Sequence, residues 1–341
     1  MTFRKPRFHP LFTLMFAASS LISLDATAEN TLNTDSGCDN ITLVKSANPS
    51  NDSTKTKYPI VMAHGWFGFD NLLGVDYWYQ IPQAMAKGGA SVYITQQSAM
   101  NSTVVRGDQL LKKIRCILAM EGAEKVNLIG HSQGGLDARY IAGEAPELIA
   151  SVTAVQTPSH GVNFSRVYET LNIDENHILI RSLLLLGEAA ATFVDFFSSA
   201  ADYEQDGYGL ISPESGGLIG DSTFNDNYPG GVGEYCGADG DEVYNGIHYY
   251  SWGGTAHFTN FFDVFSYIDG TLHTLWSAPW GEKSDGLVSQ CSSHLGRVIK
   301  DDYYLDHFDG VNQLVGLKHW RSPSPATLFR LQAQRLKDAG L

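Results

Sequence analysis

Gly130-His131-Ser132-Gln133-Gly134 reads Gly-x-Ser-x-Gly, and it follows directly on the apolar run Val126-Asn127-Leu128-Ile129. That run has the length of a buried parallel strand, and Gly135 to Gly143 beyond it is small and helix-compatible. A strand that turns sharply into a helix holds the serine on a strained turn with its hydroxyl exposed. The flanking glycines fit this geometry, because a side chain at either position would collide with the neighbouring strand or helix. The pattern alone is common, and its setting makes it informative. The alternative is a glycine-rich turn carrying an ordinary serine.

The rest of the chain supports such a setting. Pro59-Ile60-Val61-Met62-Ala63 is an apolar strand ending at His64-Gly65, and Val92-Tyr93-Ile94 is a second short one. Gly107 to Met120 carries Leu110, Leu111, Ile114, Ile117 and Leu118 at helical spacing. Val152 to Val155 follows the serine as another strand and ends at Thr157-Pro158, and His248 to Trp252 reads as a strand too. Strands alternating with helices imply an α/β fold with a mostly parallel central sheet and helices on both faces. In such sheets ligands sit beyond the carboxyl ends of the strands, where His64, Ser132 and Thr157 all fall. Residues 255–284 lack a clear period and read as an irregular insertion, Leu295 to Ile299 as a late strand, and Leu328 to Ala339 as a closing helix.

The first 28 residues read as a secretory signal peptide. Arg4, Lys5 and Arg7 precede the short apolar stretch Leu11 to Leu24, and Ala26-Thr27-Ala28 offers small residues at a cleavage site. Residues 29–57 are polar and read as an N-terminal arm, with the core domain running from 58 to 341. No other run is long and apolar enough to serve as a transmembrane anchor. The formal charge of −14 argues against nucleic acid and against electrostatic docking on anionic membranes. The four cysteines, Cys38, Cys116, Cys236 and Cys291, point in an exported chain to disulfides, with three possible pairings.

Residues 161–230 interrupt the α/β rhythm. Ile178 to Phe197 is helical and very apolar, and its charges Arg181, Glu188 and Asp195 stand seven apart, forming one narrow polar stripe. A core helix has this pattern. So does a lid that covers an apolar cleft in water and opens at a lipid surface.

A serine hydroxyl becomes a nucleophile only when a base takes its proton and an acid orients that base. Around an elbow of this kind the chain order is Ser, Asp or Glu, then His. His307, in Asp306-His307-Phe308-Asp309-Gly310 after the last strand, fits the base best, with His294 and His319 as competitors. Asp285, on the tight turn Ser284-Asp285-Gly286, fits the acid, and Asp263 and Asp269 compete. The backbone N–H groups of Gln133 and Trp66 are the candidate donors to a tetrahedral oxyanion.

His64-Gly65-Trp66-Phe67-Gly68-Phe69-Asp70, Gly74-Val75-Asp76-Tyr77-Trp78, the Val126 to Ser132 segment, Cys291-Ser292-Ser293-His294-Leu295-Gly296 and Val311-Asn312-Gln313 together resemble the secreted, foldase-dependent bacterial triacylglycerol lipases of the Pseudomonas and Burkholderia type. The resemblance covers roughly Tyr58 to Leu341 and implies the α/β-hydrolase fold, a triad of Ser132, Asp285 and His307, and a helical lid within 161–200. It implies a structural Ca2+ held by the carboxylates of Asp263 and Asp309 and the backbone carbonyls of Gln313 and Leu317, hard oxygen ligands that suit calcium. It implies a Cys236–Cys291 disulfide, a dedicated foldase during secretion, an extracellular location and a monomer. Cys38 and Cys116 lie outside the family's pattern and would pair by exclusion. Trp66 stands where the family usually has Met or Leu, and Gln133 where it often has His; both would donate through backbone. The competing expectations are a short-chain carboxylesterase, a phospholipase, or a non-catalytic lipid-binding module.

Overall fold

The β-branched and aliphatic runs Ile60–Ala63, Val92–Thr95, Val126–His131, Ile149–Val155 and Ile247–Gly254 form the middle of one sheet. In this computed structural model residues 27–31, 38–72, 75–162, 178–197, 203–207, 209 and 222–341 are described. In chain order the strands are β1 (Thr27–Thr31), β2 (Ile41–Ser46), β3 (Ile60–Ala63), β4 (Asn71–Leu72), β5 (Val75–Asp76), β6 (Val92–Thr95), β7 (Val126–His131), β8 (Ile149–Val155), β9 (Val243–Tyr244), β10 (Ile247–Gly254) and β11 (Arg297–Tyr303). The main sheet runs β1-β2-β6-β3-β7-β8-β10-β11, with β9 beside β10, while β4 and β5 pair as a small hairpin. From β6 to β11 every main-path pairing is parallel; β1–β2, β2–β6 and β9–β10 are antiparallel.

The helices are α1 (Ile81–Ala86), α2 (Thr103–Glu121), α3 (Gln133–Glu144), α4 (Ile178–Phe197), α5 (Ser222–Asn227), α6 (Val264–Trp276), α7 (Gln313–Gly316) and α8 (Pro325–Asp338). Period-two alternation sends Val61 and Ala63 to one face of β3, among Leu110, Ile114 and Ile141 of α2 and α3. Ile60 and Met62 go to the other, among Ile81 and Met85 of α1 and Phe329 of α8. Two apolar layers therefore sandwich the sheet, and its strand ends meet at one rim.

Two expectations are corrected. Residues 29–57 are not a free arm ahead of a core that starts at Tyr58: β2 is part of the sheet, with Ile41 and Val44 fully buried. Its apolar residues are too few to stand out from the polar sequence around them. Residues 255–284 are not irregular throughout, because they contain the 13-residue helix α6. Of the expected leader 1–28, only Thr27 and Ala28 lie within the described residues, in β1. Within the expected lid segment, α4 spans Ile178–Phe197, while 163–177 and 198–200 lie outside the described residues.

Both disulfides are formed. Cys236–Cys291 closes 55 residues, and Cys38–Cys116 joins the start of β2 to α2 across 78. Among the described residues no helix is long and apolar enough to cross a membrane.

Candidate active site

Ser132 sits between β7 and α3 at φ 53°, ψ −129°, a conformation that a side chain rarely adopts. Its neighbours make the turn possible. A Cβ on Gly130 would lie 2.2 Å from the carbonyl oxygen of Gly134, and one on Gly134 would lie 2.3 Å from that of Ala63. The serine is anchored through its N–H, which donates to Val155 O at 2.9 Å. Its Oγ makes no hydrogen bond among the described residues, so the hydroxyl is left for what enters the cleft.

His307 follows β11 and faces the same cleft as Ser132. Its Nδ1 hydrogen-bonds Asp285 Oδ2 at 2.9 Å, with both side chains almost wholly buried. Of the three candidate acids, Asp285 is the one on the imidazole. Asp269 Oδ2 instead accepts the His307 backbone N–H at 3.0 Å, and Asp263 Oδ1 accepts that of Phe265 at 2.8 Å. The competing histidines go elsewhere: His294 pairs with Asp301 at 3.0 Å, and His319 lies 4.9 Å from Tyr304, ring centre to ring centre and tilted, in a loop ahead of α8. Asp285 also accepts the N–H groups of Leu287 and Val288 on Oδ1, so its plane is fixed from two sides.

The loop after β3 carries Trp66. Neither its N–H nor that of Gln133 donates to a protein acceptor among the described residues. His64 holds this loop from inside. Burial and the neighbouring Arg106 push its pKa down to about 3, so the ring is neutral, donating from Nδ1 to Gly65 O and accepting Gln97 N–H on Nε2. Arg106 donates to His64 O at 2.7 Å and pairs with Asp137 of α3 at 2.9 Å, both fully buried. The Gln133 side chain is itself tied to Asn101 O at 2.8 Å.

A hydrogen-bond chain links this loop to the histidine loop. Gly65 N–H donates to Tyr77 Oη at 3.1 Å, and the Tyr77 hydroxyl bonds His131 Nδ1 at 2.6 Å. His131 Nε2 bonds His307 O at 3.1 Å. A carbonyl only accepts, so His131 carries its proton on Nε2 and accepts a hydrogen bond from the tyrosine O–H on Nδ1. Burial holds the His131 pKa well below the ordinary imidazole value, in keeping with one neutral tautomer.

Three residues of this support were not singled out from the sequence. Tyr77 and His131 lie inside segments already marked, so their positions were a signal, while their roles were not. Gln156 gave none. It follows β8 at φ 46°, where a glycine would be the ordinary choice. Its Nε2 donates to Asp285 Oδ2 at 2.8 Å and to Asp306 O at 2.9 Å. The side chain fills a slot at Gly310, where a Cβ would come within 1.5 Å of Gln156 Oε1.

Ser132 and His307 open onto a cleft of about 460 Å³ whose walls are almost wholly apolar. Trp66 and Phe67 form one side, stacked at 4.7 Å; Phe265, Leu272 and Trp276 of α6 form another; and Val194 of α4 reaches in from above. On α4 the exposed positions Arg181, Ser182, Leu185, Ala189 and Thr192 follow helical spacing, while Ala191 is buried and Leu184 packs on the core. A site with a serine hydroxyl on a strained turn, an imidazole–carboxylate couple and an apolar cleft suits acyl transfer from a substrate with a hydrocarbon chain.

Of the expected cation ligands, the carboxylates of Asp263 and Asp309 lie near enough to influence each other. Both carboxylate oxygens of Asp309 are buried, and neither makes a hydrogen bond among the described residues. Burial and the neighbouring Asp306, with Asp263 adding, push its pKa up to about 8; burial pushes Asp263 up to about 6. Asp306 is already satisfied by Ser266, Thr259 and the Asp309 N–H. Among the described residues no three His, Cys, Asp or Glu side chains gather at metal-binding distance. The expected set needs only two carboxylates. A pair of buried carboxylates held near each other, one of them unpartnered, fits a hard divalent cation.

Residues 58–178 match the alpha/beta hydrolase fold family. The chain is 40% identical over 288 residues to a triacylglycerol lipase of Vibrio cholerae, covering 84% of this chain and 90% of that one. It is 37% identical over 301 residues to the triacylglycerol lipase of Pseudomonas fragi, covering 85% and 99%. In solved structures its fold resembles that of the Bacillus licheniformis lipase BlEst2 in mature form, with a TM-score of 0.53 at 16% identity over 85% of this chain and 95% of that one. The catalytic-type elbow, the sheet and the long, similar relatives agree: the chain belongs to the bacterial triacylglycerol lipases of the α/β-hydrolase fold.

Proposed function

We propose that this chain is an extracellular lipase that hydrolyses triacylglycerols of long-chain fatty acids through an acyl-enzyme. The observation that carries the reading is the His307–Asp285 couple, 2.9 Å long and buried, opening beside the strained Ser132 onto an apolar cleft. Ser132 Oγ attacks the ester carbonyl while His307 Nε2 accepts its proton and returns it to the leaving alcohol. Asp285 fixes the tautomer with Nδ1 protonated and stabilises the imidazolium. The Trp66 and Gln133 N–H groups, without other acceptors among the described residues, receive the oxyanion. Water then attacks the acyl-enzyme by the same route in reverse. Ser132 Oγ must close on the ring when substrate binds, as apo sites commonly require.

Asp263, Asp309 and the carbonyls of Gln313 and Leu317 would hold the Ca2+, whose contribution is to neutralise buried carboxylates and pin the loop two residues beyond His307. The leader sends the chain out of the cytoplasm, and a foldase assists its secretion, as the Pseudomonas and Burkholderia resemblance implies. Trp66 narrows the acyl side of the cleft, which bears on chain length.

Ser132→Ala is expected to give a folded, secreted and inactive protein, and full activity in that variant refutes the assignment. Labelling of Ser132 by an organophosphonate excludes a non-catalytic lipid-binding module. A rate that jumps once substrate exceeds its solubility supports a lipase. Plain saturation below that limit identifies a short-chain carboxylesterase, and preference for diacyl phospholipid over emulsified triglyceride a phospholipase.

A further inference from the structure

Two arginines, one on α2 and one on α3, are buried, and their partners differ. Arg106 lies fully buried against the Asp137 carboxylate at 2.9 Å. Arg139 is 2% exposed, and every acceptor it meets is neutral. Its Nη1 donates to Ser159 O at 3.3 Å, and its Nη2 to Asn225 Oδ1 at 2.8 Å and to Tyr228 O at 2.7 Å. Its Nε–H is buried and has no acceptor. Phe224 lies against the guanidinium, 5.0 Å from its ring centre. Among the described residues no carboxylate pairs with Arg139. Burial lowers its pKa to about 10, which leaves it charged at neutral pH. A buried charge is costly unless an opposite charge answers it.

Arg139 also lines a cavity of about 140 Å³ between α3, α5 and the β9–β10 turn. Buried Tyr249 and Gly230 line it too, with Asn227 and Asn245 on its exposed side. The Tyr249 hydroxyl makes no hydrogen bond among the described residues. Burial pushes its pKa up to about 12, so it keeps a proton to donate. A Cβ on Gly230 would lie 2.4 Å from that hydroxyl, so the glycine keeps it clear. The Tyr228 hydroxyl is already used, donating to Glu144 at 3.0 Å. No Asp or Glu lines the cavity, on a chain with 37 acidic residues against 23 basic ones. Donors around an unanswered guanidinium, in a wall free of carboxylates, make a place for an anion.

The same residues set its charge and size. One guanidinium answers one negative charge. A second would stay unpaired in the field of a chain with formal charge −14. The cavity is less than a third of the 460 Å³ catalytic cleft, too small for a long acyl chain. Ala142 and Pro146 give it an apolar wall, which suits a methyl or short alkyl end.

We propose that this cavity binds a short-chain carboxylate, acetate in size, whose charge is answered by Arg139 and whose oxygens accept from the Tyr249 hydroxyl. The site is separate from Ser132 and independent of the hydrolysis proposed above.

The test uses the full chain and follows line broadening of 13C-labelled acetate, with ionic strength held constant by a bulky sulfonate buffer too large for the cavity. Saturable binding is expected with a Kd of about 1–10 mM, a range open to a ligand of about four heavy atoms. Sulfate is expected to displace acetate at least about tenfold less well than unlabelled acetate does. Asn227→Asp/Asn245→Asp sets two carboxylates on the exposed side, and aspartate accommodates the φ of 50° at Asn245. It is expected to raise Kd at least about tenfold. Tyr249→Phe leaves the guanidinium in place and is expected to raise Kd about three- to tenfold. Near-UV circular dichroism checks that each variant is folded; should Tyr249→Phe fold poorly, the exposed asparagine pair decides alone. Acetate held in the catalytic cleft would be unmoved by either change, so equal affinity in parent and variants overturns the proposal. So does an absence of saturable binding, which leaves Arg139 as a structural group tied to neutral acceptors. Sulfate that competes as well as acetate overturns the assignment to a monovalent carboxylate.

Discussion

Replacing Gln156 with glycine is expected to slow turnover without loosening the fold. The carboxamide donates to the same Asp285 oxygen that receives His307 Nδ1, so its loss leaves that oxygen with one fewer donor stabilising its charge and its place against the ring, while the Leu287 and Val288 N–H groups still hold Oδ1. A hydrogen bond to a charged group contributes about 1.5–3 kcal/mol. If that is lost from the transition state, kcat falls by about ten- to a hundredfold at 1.36 kcal/mol per decade. Against this, glycine adopts φ 46° freely, and relief of the left-handed strain returns about 1 kcal/mol to the fold. The melting temperature should therefore hold within a few degrees, roughly. KM on p-nitrophenyl butyrate should stay within about twofold, because the cleft walls are untouched. Gln156→Glu separates a donor role from a space-filling one: it preserves shape but removes the N–H and sets an anion against Asp285. It is expected to be slower than the glycine variant. Parental kcat in Gln156→Gly, or a glutamate variant faster than the glycine one, refutes the reasoning.

Three further outcomes follow from features described above. Cys38→Ser/Cys116→Ser removes a closure of 78 residues, worth about 4–5 kcal/mol in chain entropy, and should lower the melting temperature by on the order of 10 °C in calorimetry. Stringent chelation should lower melting temperature and activity together, with calcium restoring both; no change in either removes the proposed ion. Lys113 of α2 is buried against Tyr203, and burial pushes its pKa from 10.5 down to about 8. Between those values the unfolded chain binds the extra proton, so stability rises with pH through that window. Chemical denaturation should show the parent gaining about 2 kcal/mol relative to Lys113→Met between pH 8 and pH 10, and parallel profiles would refute the burial argument.

What could be read from the sequence was local or ordered along the chain. The elbow is five residues between a strand and a helix, and both neighbours announce themselves by periodicity. The histidine and aspartate were ranked by chain order and turn setting, with the family resemblance deciding among the carboxylates. Helix α6 was missed because its polarity is reversed: period-based reading looks for an apolar face against a polar one, and α6 is apolar on two sides with its polar residues in the core. Gln156 was invisible because its partner lies 129 residues away and its backbone conformation usually selects glycine. Strand β2 was hidden by a polar neighbourhood and by a burial pattern without strict alternation, with only Ile41 and Val44 buried, three residues apart.

That strand carries a cost for anyone producing the protein. β2 covers the flank of β6, and the Cys38–Cys116 bridge clamps its beginning to α2. In a reducing cytoplasm the clamp is absent, β2 can peel away, and β6 is left with a row of unmatched amides open to strands from other molecules. Aggregation during overexpression would then reflect the redox state of the compartment rather than a defect in the catalytic fold, and an oxidising host would be the remedy.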